Sequence, residues 1–165
     1  MHCQIARKSL ETLLYHRTKY QPEHRFHFKA GCFVTLHSKA GELRGCIGTL
    51  QPVYDDLALE IASNARSAGT RDHRFNAVRA EELDDITIEV SVLHEPELID
   101  KQSLLNPSIY GVIVEHQGRR GVLLPDLKGI TSIDHQIAVA KQKAFISTKE
   151  PVKIWRFKVD KFQEE

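Results

Sequence analysis

Apolar residues recur at helical spacing near the start of the chain, where Ala6, Leu10, Leu13 and Leu14 predict an amphipathic helix over residues 3–18. A polar, His-rich connection runs from Thr18 to Phe28. Cys32 to His37 then alternates and is rich in β-formers. Ser38 to Glu42 reads as a turn, and Leu43 to Thr49 as a second strand, so the pair predicts a hairpin. Asp55 to Ala68 places Leu57, Ala58, Ile61, Ala62 and Ala65 on one helical face, with acids at its start and Gly69 to end it. Ile86, Ile88, Val90 and Val92 alternate with polar residues as a strand covered on one face. Val112–Glu115 and Gly121–Leu124 predict a second hairpin across Gln117-Gly118. Ile133, Ile137, Ala140 and Ala144 predict a third helix. Trp155, Phe157 and Val159 predict a final strand.

Strands arrive mostly as hairpins, with three helices between them. This order predicts an α+β fold: an antiparallel or mixed sheet with about three flanking helices, not a doubly wound parallel sheet. A chain of 165 residues fits one domain over 1–165, with room for a small lobe.

The segment Leu43-Arg-Gly-Cys-Ile-Gly-Thr49 is the most unusual in the chain. Glycine inside a strand weakens it and marks a bulge or a close approach by backbone or ligand. Alternation puts Leu43 and Ile47 on one face, toward the core, and Arg44, Cys46 and Gly48 on the other. Matching them to Val34 and Leu36 requires an odd register sum, pairing Thr35 with Cys46 and His37 with Arg44. A three-residue loop at Lys39-Ala40-Gly41 would give an even sum instead. The two signals conflict, and burial is the stronger constraint. It predicts Cys46 beside Arg44, with Thr35 and His37 near. A guanidinium, or a protonated imidazole, at that distance would lower a thiol pKa. From physics alone the leading reading of Cys46 is a small buried hydrophobe, the commoner fate of an unpaired thiol.

Composition narrows the function. Lys and Arg number 23 against 22 Asp and Glu, a net charge of +1, which argues against a dedicated nucleic-acid-coating protein. No apolar run approaches a membrane span, and the N-terminus does not read as a secretory signal, so a cytoplasmic protein with no membrane partner is expected. Three cysteines describe no disulfide framework, and without a Cys-x-x-Cys pair no metal site is expected. His24 and His27 lie in loop-like sequence. No nucleophile elbow, phosphate loop or dinucleotide fingerprint is present, so no cofactor is expected.

The seven-residue signature resembles that of the AMME chromosomal region candidate protein (AMMECR) family. The likeness extends through Gly31-Cys-Phe-Val-Thr-Leu36, Arg71-Asp-His-Arg-Phe75, Ile88-Glu-Val-Ser-Val-Leu93, Gly118-Arg-Arg-Gly-Val-Leu-Leu-Pro125, residues 136–144 and Trp155-Arg-Phe157. The last two resemble the prokaryotic branch called AmmeMemoRadiSam system protein A. The resemblance implies a compact α+β unit with a larger and a smaller lobe and the signature in a cleft. It also implies a Memo-like protein and a radical S-adenosylmethionine protein as partners in a modification pathway. Two positions depart from the pattern: His73 stands where proline is usual, and Asp126 where glutamine is frequent.

Three functions remain in view. The first is an enzyme, or enzyme component, using Cys46. Arg44 would tune the thiol, and the Gly45 to Gly48 backbone would bind an anionic oxygen, with Thr35 and Thr49 beside it. Asp72 and Arg74 form either a substrate clamp or an internal lock with Phe75 plugging the core. Glu89 is a base or an ion-pair partner, and Arg119 and Arg120 are candidate anion binders. The second is a non-catalytic subunit that binds a partner or substrate, with Cys46 inert. The third, ranked last on charge, is a nucleic-acid-binding module.

Overall fold

The computed structural model describes residues 1–165. It has two four-stranded sheets and three helices, an α+β architecture whose assigned strand pairs are antiparallel. The elements are α1 (His2–His16), β1 (Cys32–Ser38), β2 (Leu43–Thr49), α2 (Leu57–Thr70), β3 (Ile86–Leu93), β4 (Glu97–Ile99), β5 (Gly111–His116), β6 (Arg119–Leu123), α3 (Ile133–Lys143), β7 (Lys153–Phe157) and β8 (Val159–Gln163). No helix is long and apolar enough to cross a membrane.

The chain divides into two units. The first comprises Met1–Val92 and Asp160–Glu165, the second Leu93–Val159. The first unit holds the sheet ordered β2-β1-β3-β8. Helix α2 lies on β1 and β2, and α1 packs against α2. Its core joins Ile5, Leu10 and Ile61 to Val34, Leu36, Ile88 and Val90. The second unit holds the sheet β4-β7-β5-β6, with α3 packed on β5 and β6 over Val112, Val114, Ile137 and Ala140.

Local chemistry accounts for the boundaries. Asp56 is the N-cap of α2, its Oδ1 accepting the Ala58 N–H at 2.8 Å. Gly69 does not end the helix as its position suggests. It sits in the last turn, because a Cβ there would stand 2.6 Å from Leu10 Cδ2 of α1. The β5–β6 turn has positive φ at both central residues, Gln117 (49°) and Gly118 (78°), as a two-residue hairpin requires. The predicted final strand is two strands. Ile154 and Phe157 are the buried residues of β7, and after Lys158 the chain changes sheet to form β8. An alternation read through Trp155, Phe157 and Val159 runs past that break.

The first hairpin resolves its two conflicting signals. Thr35 pairs with Cys46 and Leu36 with Gly45, the odd register that burial demands. His37 then pairs with Leu43, not Arg44, in the even register of the Gly41 turn, whose φ is 83°. Arg44 is the extra residue of a β-bulge between the two registers. The bulge turns Leu43 away from the core, leaving it 40% exposed, while Ile47 still packs on the core.

Gly45 faces α2, where a Cβ would fall against the Ala68 carbonyl oxygen, well inside contact distance. Gly45→Ala should therefore destabilise the protein by about 1–3 kcal/mol through overpacking. The check is urea denaturation, with the midpoint falling and the slope unchanged.

Candidate functional site

Each signature residue has a defined neighbour, and most of those neighbours are internal. Arg44 donates to Glu82 through Nε and Nη2 at 3.1 and 3.2 Å, and through Nη1 to the Asn76 carbonyl at 3.0 Å. This fork holds the Glu82 carboxyl below its usual range and ties β2 to the short 3-10 helix Ala80–Asp85. Arg44 is thus committed to Glu82, and the guanidinium linked to the Cys46 backbone is that of Arg74.

Thr49 lies at the other end of β2. Its hydroxyl donates to Glu60 Oε1 at 2.6 Å and accepts from Asn64 Nδ2 at 3.1 Å. Glu60 is 1% exposed, and its second oxygen accepts the Val53 and Tyr54 N–H groups at 2.8 and 2.9 Å. Asn64 also donates to the Cys32 carbonyl at 3.0 Å. Sequence reasoning missed Glu60 and Asn64. The available signal was their spacing, i and i+4 within the apolar stripe of α2.

Gly48 is also explained from within. A Cβ there would collide with the Phe33 ring on the neighbouring strand, so the aromatic side chain occupies the face that glycine leaves open. The glycines of the signature record close approach, as expected, but what approaches is the helix backbone at Gly45 and the Phe33 ring at Gly48.

Cys46 is the centre of what remains. It is partly exposed, and its Sγ lies 3.3 Å from Thr35 Oγ1. Its backbone N–H donates to Asp72 Oδ2 at 2.9 Å. Because that N–H points away from β1, the Asp72 carboxylate caps the outer edge of the sheet at this residue. Asp72 is buried and gripped by Arg74, whose Nε and Nη2 donate at 3.0 and 2.7 Å. The Arg74 guanidinium, with the Cys46 amide, holds the Asp72 carboxyl far below the usual range, against the opposing effect of burial. The internal lock is the arrangement seen. Phe75 does not plug the core: it is partly exposed under the Arg74 guanidinium, 5.5 Å from ring centroid to Cζ, and Val78 is the buried residue of this loop.

The register places Cys46, Thr35 and Glu89 in one row on the same face of β2, β1 and β3. Thr35 is 8% exposed. Glu89 accepts from Gln163 Nε2 at 2.6 Å and lies 3.9 Å from Lys161 Nζ, so its partners are on β8. Arg119 and Arg120 belong to the second unit. There Arg119 binds Glu150 and the Phe145 carbonyl, and Arg120 binds Glu115. No group of three or more His, Cys, Asp or Glu side chains is placed to hold a metal ion. His27 lies in a loop, its N–H bonded to Asp56.

Two of the three thiols are shifted by burial. Burial pushes Cys32 up to about 12 and raises Cys3, whose Sγ donates to the Phe162 carbonyl. None of the three is in a disulfide. The arrangement around Cys46 sets one thiol beside a hydroxyl on a strand whose backbone is fixed by a buried carboxylate.

Comparison with known proteins agrees with this architecture. The AMMECR1 family model matches residues 3–162. A Thermotoga maritima protein is 48% identical over 143 residues, covering 86% of this chain and 82% of its own. A Clostridium acetobutylicum protein is 44% identical over 145 residues, and the match spans 31% of that longer protein. The crystal structure of an uncharacterised Pyrococcus horikoshii protein superposes with a TM-score of 0.92 at 30% identity, covering 99% of this chain and 90% of that one.

Asp72→Asn tests the lock. Its folded-state carboxyl is depressed, so its stabilisation is present above the ordinary Asp pKa and is lost as pH falls toward the folded value. The variant should be less stable by about 2 kcal/mol at pH 7. That difference should shrink below about pH 4, where the unfolded carboxyl protonates. Denaturation curves of both proteins at pH 7 and pH 3 measure it; equal differences at the two values would contradict the assignment.

Proposed function

The chain belongs to the AMMECR1 family, and we propose that Cys46 is its reactive group: the protein is a cysteine-dependent enzyme or enzyme component. The observation that carries this reading is the division of labour along the signature. Packing accounts for Gly45 and Gly48 and internal carboxylates for Arg44 and Thr49, whereas at Cys46 the backbone bond to Asp72 does not require a thiol, and the sulfur lies beside the Thr35 hydroxyl on a partly exposed strand. A thiol so placed serves as nucleophile or as acceptor of a group from a bound partner. The Thr35 hydroxyl donates to or accepts from sulfur as its protonation requires. Resemblance to the prokaryotic AmmeMemoRadiSam branch supports the wider setting: action with a Memo-like protein and a radical S-adenosylmethionine protein in a cytoplasmic modification pathway.

The alternative is a non-catalytic subunit that binds a partner or substrate. It is favoured by the same internal bonding, which makes most of the signature a folding device and leaves Arg44 committed to Glu82. A nucleic-acid-binding role has less support, because Arg44, Arg74, Arg119 and Arg120 are all paired with carboxylates.

Alkylation by iodoacetamide as a function of pH, read by peptide mass spectrometry, separates the first two. Cys46 should react in the native protein at least about a hundredfold faster than Cys32, whose burial suppresses its thiolate. Reaction of Cys46 only after denaturation would overturn the thiol reading and leave the binding subunit.

A further inference from the structure

Most arginines of the chain sit against a carboxylate, as Arg7 does on Glu164 and Arg156 on Glu97. Arg66 does not. It lies on α2, half-buried, and its one protein partner is a neutral hydroxyl: Nη1 donates to Ser9 Oγ of α1 at 3.1 Å. No carboxylate acts on it. Burial lowers its pKa, Tyr54 opposes that, and the neighbouring Arg71 charge lowers it further. An arginine stays protonated through such a shift. The fold therefore holds a positive charge partly out of water with no counter-charge, an arrangement that costs stability.

The guanidinium is fixed in place. Ser9 is fully buried, and its hydroxyl donates to the Ala62 carbonyl at 2.7 Å, which leaves its lone pairs for Arg66. Arg66 is thereby pinned through one nitrogen at the seam where α1 packs on α2. Its other N–H groups meet no acceptor in the protein. A planar fork held by one edge presents the rest of its donors in a set direction.

The surroundings supply further donors. Ser63 lies three residues before Arg66 on the same helix face, partly exposed, with its Oγ 3.5 Å from Tyr54 Oη. The Tyr54 backbone is held by Glu60, whose two oxygens serve that loop and the Thr49 hydroxyl. The nearest acid of the helix is thus turned away to other partners. Arg71 follows the helix end and is exposed; its backbone N–H bonds the Ser67 carbonyl at 2.8 Å, and its side chain meets no carboxylate. Two guanidinium groups that repel each other, with hydroxyls beside them, match a doubly charged oxyanion. A phosphomonoester carries a charge of about −1.5 to −2 at neutral pH.

We propose that Arg66 and Arg71, with the Ser63 and Tyr54 hydroxyls, form a binding site for the phosphomonoester group of a small molecule. Arg66 takes the phosphate on its open fork, Arg71 adds the second charge, and the hydroxyls donate to the remaining oxygens. The Tyr54 ring and the exposed Val53 beside it suit an organic body attached to that phosphate. The site holds whatever the role of Cys46.

Titration of the isotope-labelled protein with phenyl phosphate at constant ionic strength tests it, read on the Nε–H nuclear magnetic resonance signal of Arg66. Phenyl sulfate, of similar shape with a single charge, and sodium chloride are the controls. The Arg66 signal should shift saturably with phenyl phosphate, which should bind about tenfold more tightly than phenyl sulfate. Arg66→Gln and, separately, the surface variant Arg71→Gln should each weaken binding by about tenfold or more, the loss of a charge-assisted hydrogen bond. Both variants should keep the wild-type melting temperature without ligand. A shift no larger than sodium chloride gives, or equal affinity for phenyl sulfate, overturns the proposal and leaves a solvated arginine pair. Wild-type affinity in Arg71→Gln overturns it too, even if Arg66→Gln proves unstable, because the second charge is then not part of the site.

Discussion

A helix backbone laid directly on a strand, with no side chain between them, is the constraint on which the first unit depends. At Gly45 the Ala68 carbonyl of α2 occupies the space a Cβ would take. Packing that close fixes more than one contact. It sets where the last turn of α2 ends relative to β2, so the segment that follows runs along the outer edge of the strand. Asp72 then reaches the Cys46 N–H, and Asn76 the Arg44 guanidinium. The second unit uses the same device: a Cβ on Gly121 of β6 would strike the Ala140 carbonyl of α3. In each unit one glycine permits the helix to dock, and any larger residue would have to move a backbone rather than a side chain.

Three carboxylates complete the fixing of β2. Glu82 takes the Arg44 fork at one end, Asp72 the Cys46 amide at the middle, and Glu60 the Thr49 hydroxyl at the other. Burying a carboxylate is costly unless its oxygens are bonded. Here the cost is offset in different ways. Buried Asp72 has a guanidinium partner, as does the partly exposed Glu82. Glu60 has a hydroxyl and two backbone N–H groups. Glu60 therefore also shapes the loop after β2, because its second oxygen organises the backbone of Val53 and Tyr54. An edge strand held this way is not a template for stray pairing at Cys46, where the outward N–H is already taken.

Much of this was legible in the residues, because period and turn chemistry are local. The three helices, both hairpins, the strand at residues 86–93 and the Thr35–Cys46 pairing follow from apolar spacing and glycine placement. What was not legible depended on tertiary partners. Nothing local says that the chain changes sheet after Lys158, since the alternation from Trp155 to Val159 continues through the break. Leu43 looks like a core residue until the bulge at Arg44 turns it outward, and the bulge exists because the burial register and the turn register differ by one. Arg44 looks like the neighbour of Cys46 because both fall on one face of an unbroken strand. The same bulge interrupts that face, and Glu82, 38 residues on, supplies its partner.

The glycine pattern bears on how the signature should be interpreted. Glycine in a strand does mark close approach. A ligand is only one thing that can approach, and here a helix backbone and an aromatic ring do so. A motif can thus be highly specific for reasons of packing alone. Specificity of the signature is then weak evidence for chemistry, and the case for chemistry must rest on what packing does not explain. Gly45 and Gly48 are explained by volume, Arg44 and Thr49 by carboxylates, and Ile47 by the core. For Cys46 the fold needs the backbone N–H, which any residue but proline would provide. The sulfur itself meets a threonine hydroxyl on a partly exposed face. Serine or alanine would satisfy the same backbone bond, so the sulfur is the one atom that distinguishes cysteine at this position.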